Sequence, residues 1–334
     1  MPPAMKRRIA VAVMVTAALV GMLAHSTAAC TGFAVYSGRT LYGMNFDYPP
    51  NEIRFSIEDH ETGAVFLGEF RMGEFWARTV GMNERGLFAS DQMVSPARAT
   101  TDSPTGDEIY VWDAFYDGLR TAESVDGVLD WIGERRLVQY PDLWLHNLYA
   151  DPSGNAAIVE AGVEGNVITP IEGPFLVMTN FHNGDFRGLD LRDIVGDGAE
   201  RYRVATRSIA ENLVGFDLDD AFETLRLAST ATGSFKTRYS LVLDPEALEI
   251  YVALERDYER IWKVSLIDRT IETHRGFDRH HVLTLDSAGI TGPELLAYAV
   301  EETIAVESGG FRLSLMAMLL AGLVGVGLWL VLKR

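Results

Sequence analysis

The chain has 334 residues, nearly half of them hydrophobic, one cysteine and a formal charge of −18. That length supports one large domain or at most two. The acidic balance argues against a surface for nucleic acid or anionic headgroups, and a lone cysteine excludes an internal disulfide.

Lys6, Arg7 and Arg8 precede residues 9–24, an apolar run without a charge, and Ser26, Thr27, Ala28 and Ala29 follow. A charged start, an apolar stretch and small residues at the −3 and −1 positions form the order of a secretory signal peptide. Residues 1–29 are therefore expected to be removed, leaving Cys30 at the new N-terminus. An uncleaved anchor is the alternative, disfavoured by the short run and the small residues after it.

From Cys30 the sequence turns β-rich. "CTGFAVY" and "TLYGMNFDY" flank Ser37-Gly38, a hairpin signal. "IRFSIED", "AVFLGEF", "WARTVGM" and "GLFASDQMV" continue the strands, and residues 107–137 change to a helical period for two helices. Strands return at "LHNLYAD", "NAAIVEAG", "NVITPI" and "FLVMTNF". Two helices are expected over 198–213 and 217–228, and "RYSLVLD", "LEIYVALE" and "RIWKVSLI" close the series. Sheets layered against helices, an α+β architecture over residues 30–305, fit this order.

Beyond a linker at 306–312, residues 313–332 are uncharged and meet Lys333 and Arg334. At about 1.5 Å per residue such a helix crosses a hydrocarbon core of roughly 30 Å, with residues 333–334 on the cytoplasmic side. Gly309-Gly310 also resembles bacterial sorting tails from which a protease removes the span. Neither terminal segment contains an acid. Without Lys6, Arg7, Arg8, Lys333 and Arg334 the intervening domain would carry −23, five below the formal −18.

A cysteine at a new N-terminus carries a free α-amine, with an ordinary pKa near 7.7 to 8.0, that can take the thiol proton. The thiolate then attacks a carbonyl, as a threonine activated by its own N-terminal amine does. Asp47 ends the second strand of the first hairpin, where it can fold back towards residue 30 and orient that amine. A lone Asp at a strand end is otherwise a turn or cap residue.

"CTGFAVYSGRTLYGMNFDYP" resembles the start of the choloylglycine hydrolase and penicillin V acylase family, related to N-acylethanolamine amidases and ceramidase-type hydrolases. The resemblance continues through "GMNERGL", "YADPSGNAAIVEAG", "VMTNF", "ERYRVA" and the closing strands. It implies an αββα sandwich of the N-terminal nucleophile type, hydrolysis of the linear amide C–N bond of a small N-acyl substrate, and no cofactor. Cys30 would be the nucleophile, Asp47 would orient its amine, Asn180 would donate to the oxyanion and Arg201 would balance charge. The bland alternatives make Asn180 a strand cap and Arg201 a solvated helix residue with Arg203 beside it.

The sequence also departs from the family. Met44 stands where an arginine is usual, which weakens any case for bile salts or penicillin V, and Arg39 or Arg201 could replace the lost charge. The family's second polar site falls at Asp91, Gln92 or Met93 without a choice among them. His274, His280 and His281 lack partners at ligand spacing, so no metal is expected. Tyr110, Trp112, Phe115, Tyr116 and Trp131 could line an acyl pocket or form plain core. Acyl transfer by the same cysteine, a lipoprotein tethered at Cys30 and a noncatalytic binding domain are the other readings. The acyl chain, the leaving amine and the oligomeric state are not specified.

Overall fold

The computed structural model describes residues 30–60 and 63–298. The expected signal peptide, the linker and the apolar run at 313–332 lie outside them. Among the described residues no helix is long and apolar enough to cross a membrane.

The strands in chain order are β1 (Thr31–Ser37), β2 (Arg39–Tyr48), β3 (Ile53–His60), β4 (Gly63–Met72), β5 (Phe75–Asn83), β6 (Phe88–Met93), β7 (Glu108–Tyr110), β8 (Arg136–Val138) and β9 (Leu145–Ala150). They continue with β10 (Ala156–Ala161), β11 (Asn166–Pro170), β12 (Phe175–Met178), β13 (Lys236–Asp244), β14 (Glu249–Leu254), β15 (Ile261–Ser265), β16 (Thr270–Arg275), β17 (Val282–Thr284) and β18 (Ile290–Thr291). Helices α1 (Val111–Thr121) and α2 (Val125–Gly133) form one pair, α3 (Ala199–Glu211) and α4 (Leu218–Leu227) the other.

One sheet runs β12-β1-β2-β13-β14-β15-β16-β17 and the other β11-β10-β9-β6-β5-β4-β3-β18, with antiparallel pairing throughout. Alternation along each strand creates the layers. Met44, Phe46, Tyr239 and Leu241 of the first sheet meet Phe55, Phe66, Met82 and Phe88 of the second in the central core. Phe33, Leu41 and Val242 face outward onto Ala205, Ile209 and Phe222 of α3 and α4. Val65, Leu67 and Val159 face the opposite way onto Phe115, Leu119 and Val128 of α1 and α2. The result is the αββα sandwich that the resemblance implies.

Gly43 makes one of these contacts possible. A Cβ there would lie 2.2 Å from Phe33 Cζ, so only glycine lets the ring cross β2. The helical region expected over 107–137 instead begins and ends in a two-stranded parallel ribbon, β7 with β8. Three-residue strands offer too few side chains for a period to show. Strands β16 to β18 also lie beyond the last predicted strand.

Candidate functional site

Cys30 is the residue before β1 and is 4% exposed, its side chain in the layer between the sheets. The β1–β2 hairpin pairs Thr31 with Asn45, which brings Asp47 back beside it. The backbone N–H of Asp47 donates to the Cys30 sulfur. Burial, then the Asp47 carboxyl, push the thiol up to about 12, against the pull of that N–H and of Arg201. A thiol held there stays protonated at neutral pH and needs a base to react.

Asp47 is wholly buried. Its Oδ1 accepts from Thr237 Oγ1 at 2.5 Å and its Oδ2 from Thr230 Oγ1 at 2.8 Å. Burial raises the carboxyl to about 6 although both hydroxyls, Arg201 and Arg256 favour its charge. With its oxygens held by donors on β13 and on the loop before it, this group can orient an amine.

The register of β1 with β12 pairs Gly32 with Met178, and counting it on by two residues brings Asn180 level with Cys30. Arg201, in the first turn of α3, donates to the Cys30 carbonyl, to Thr31 Oγ1 at 3.2 Å and to Asn180 Oδ1 at 2.7 Å. Arg201 is thus a clamp on the start of β1, and Arg203 turns away to Glu200 and the Ile194 carbonyl. Asn180 Nδ2 donates one hydrogen to the Met93 carbonyl at 2.6 Å, and its second amide hydrogen has no acceptor among the described residues. The four residues expected from the sequence therefore converge on one place.

Behind Asn180 lies a buried group centred on Glu160, to which the sequence reading assigns no role beyond the strand "NAAIVEAG". Glu160 accepts from the backbone N–H groups of Asn183 and Gly184 at 3.0 and 2.9 Å. His146 Nδ1 lies 3.2 Å and His182 Nδ1 3.3 Å from its Oε1. Through their other nitrogens the two imidazoles hold the carbonyls of Thr179 and Pro96 at 2.6 and 2.7 Å. Burial would raise the Glu160 carboxyl, but His146, His182 and the Gly184 N–H take it down to about 2. This ionised centre fixes the segment that carries Asn180.

Cys30, Asp47 and Asp91 line a cavity of about 630 Å³. That is within the roughly 300–1,000 Å³ of small-molecule sites. Its walls are apolar, chiefly Phe46, Tyr48, Phe70, Met72, Trp112 and Phe235. Of the aromatic residues singled out on the first helices, only Trp112 reaches the cavity. Phe115 is core, Tyr110 stacks on Tyr140 and the Tyr116 hydroxyl donates to Glu58. Met44 is buried between the sheets and Arg39 pairs with Asp244, so neither brings charge to Cys30; Arg201 acts on the thiol, and Arg78 lines the cavity. His274 and His280 are exposed, with His280 Nε2 3.1 Å from Glu272. Among the described residues no group of His, Cys, Asp and Glu side chains could hold a metal.

No protein-family model matches the chain, and no curated protein matches its sequence. Solved structures do match. A variant of conjugated bile acid hydrolase from Clostridium perfringens aligns at 17% identity and a TM-score of 0.57 over 77% of this chain and 97% of that one. Penicillin V acylase from Agrobacterium tumefaciens aligns at 15% identity and a TM-score of 0.54 over 78% and 96%. The shared feature is the fold, the αββα sandwich.

Proposed function

We propose that the chain is an exported hydrolase of the linear amide bond in an N-acyl substrate, with Cys30 as nucleophile once the signal peptide is gone. The observation that carries this reading is a single thiol on the floor of an apolar cavity, with a backbone N–H on its sulfur and the Arg201–Asn180 clamp beside it. The two matched structures, by name a bile acid hydrolase and a penicillin acylase, agree with it.

Chemistry follows from the placement. The freed α-amine of Cys30 takes the Sγ proton, and the ammonium so formed offsets the cost of a buried thiolate. Sulfur bonds to the substrate carbonyl carbon, and the oxygen gains charge that Asn180 meets with its free N–H. The C–N bond then breaks as the ammonium returns its proton to the leaving nitrogen. Water, activated by the same amine, cleaves the thioester to release the acid and restore the thiol. Asp47 keeps the amine directed at sulfur. The apolar walls suit an aliphatic or aromatic acyl group. An exported domain held by residues 313–332 would act outside the cytoplasm.

The test uses chain recovered after export, its N-terminus confirmed as Cys30 by mass, and fluorogenic acyl amides of graded chain length. Turnover is expected from this form and not from Cys30→Ala or from a form keeping one residue before Cys30, whose nitrogen is an amide. Full activity with that extra residue retained would overturn the mechanism.

A further inference from the structure

The loop that holds Asp47 also reaches the cavity. Thr230 and Thr237, whose hydroxyls donate to the two Asp47 carboxyl oxygens, stand at the two ends of residues 231–236. They close that loop on each other. The Thr237 N–H donates to the Thr230 carbonyl at 3.1 Å, and the Thr230 N–H donates to Thr237 Oγ1 at 2.9 Å. The Thr237 hydroxyl thus accepts from the loop and donates to Asp47 at once. Register sets its direction. Thr237 pairs with Asp47 and Tyr239 with Phe46, leaving Arg238 as the extra residue of a bulge, so Thr237 shares a face with Asp47.

Of residues 231–236 only Phe235 is not exposed. Its ring stands edge-on to Tyr48 with centroids 6.3 Å apart, and Tyr48 packs on Phe46 and Phe70 at 5.4 and 4.6 Å. All four rings line the cavity that contains Cys30. Arg78 lines it too, but its charge is met. It donates to both oxygens of Glu58 at 3.0 and 3.2 Å and lies 3.9 Å over the Tyr116 ring. The ring-lined wall therefore fits an uncharged acyl chain, and a chain packed there touches the one side chain by which residues 231–236 grip the domain.

We propose that Phe235 is a positioning residue that sets acyl specificity: a medium-length saturated acyl chain packs on its ring, draws residues 231–236 onto the domain and so holds the Thr230 and Thr237 hydroxyls on Asp47. This rests on the amide-hydrolase reading above and names the acyl class for it. Contact far from the scissile bond then helps to orient the group that directs the Cys30 amine, so it raises kcat as well as lowering KM. An acyl group too short to reach the ring lacks that contact.

Two measurements test this. The first compares kcat on decanoyl and acetyl amides of one fluorogenic amine, using chain that begins at Cys30. The wild-type ratio is expected to be about tenfold, to fall near 1 in Phe235→Ala and to return to within about threefold of wild type in Phe235→Leu, which restores an apolar contact. The second needs no turnover. In the Cys30→Ala chain, saturating decanamide is expected to slow exchange of the Thr237 amide hydrogen about tenfold, and adding Phe235→Ala to remove that slowing, again at saturation. A ring that only packs the loop would speed exchange equally with and without decanamide and leave the kcat ratio unchanged, and that result would overturn the coupling. So would decanamide that leaves Thr237 exchange unaltered when Phe235 is present. If decanamide slows exchange but the chain beginning at Cys30 hydrolyses no amide, the coupling stands and the hydrolase reading alone fails.

Discussion

Whether Asp47 meets the α-amine of Cys30 can be measured as a coupling. Burial lifts the Asp47 carboxyl from 3.8 to about 6. At about 1.36 kcal/mol per unit, its ionisation at pH 7 costs the folded chain roughly 3 kcal/mol. Because the folded value is the raised one, that cost is present above about pH 6 and gone below 3.8. In a chain keeping one residue before Cys30, Asp47→Asn removes the cost. It should stabilise by about 2 kcal/mol at pH 7, after roughly 1 kcal/mol is lost on the hydrogen bonds from Thr230 and Thr237. Near pH 3.5 the gain should vanish. In the chain that begins at Cys30, an ammonium about 4 Å from the carboxylate returns on the order of 1 to 4 kcal/mol, so the same substitution should be neutral or destabilising. Denaturant unfolding of the four proteins completes the cycle. An identical effect of Asp47→Asn in both backgrounds would refute the pairing and leave Asp47 a buried structural acid.

Two further substitutions separate chemistry from scaffold. Asn180→Ala should cost roughly 10² to 10³ in kcat with KM spared. It should also lower stability by about 1 to 2 kcal/mol, because the Arg201 guanidinium and the Met93 carbonyl lose their partner. A melting shift with near-normal kcat would remove it from the site. Glu160→Gln tests the buried centre behind it. The folded carboxyl is depressed from 4.5 to about 2, so its contribution of roughly 3 kcal/mol is present above pH 4.5 and fades as pH falls towards 2. The variant should be less stable at pH 7 by that amount, the gap closing in acid, and a constant gap across pH would refute the ionised state.

What could be read from the sequence and what could not divide along the range of the interactions. Cys30 and Asp47 stood out because a cleavage site and a hairpin are local patterns, and the β1–β2 pairing that joins them spans one tight turn. The helices of both outer layers had enough turns to show their period. The hydroxyls that hold Asp47 come from 183 and 190 residues away, and no local pattern announces them. For Arg201 the resemblance implies charge balance and its helix position allows a solvated residue; its role as the clamp on Asn180 depends on the start of α3 packing on β1. Asp91 is the sharper case. A period of two already places 91 and 93 on one face of β6 and 92 on the other. Which residues line the cavity that contains Cys30 depends on β5 and β6 parting beyond the Val80–Ser90 pair, an event between two strands rather than within one. The carboxyl at that parting is a plain negative charge as a letter in the sequence, and its burial beside the cavity that contains Cys30 comes from strand pairing alone.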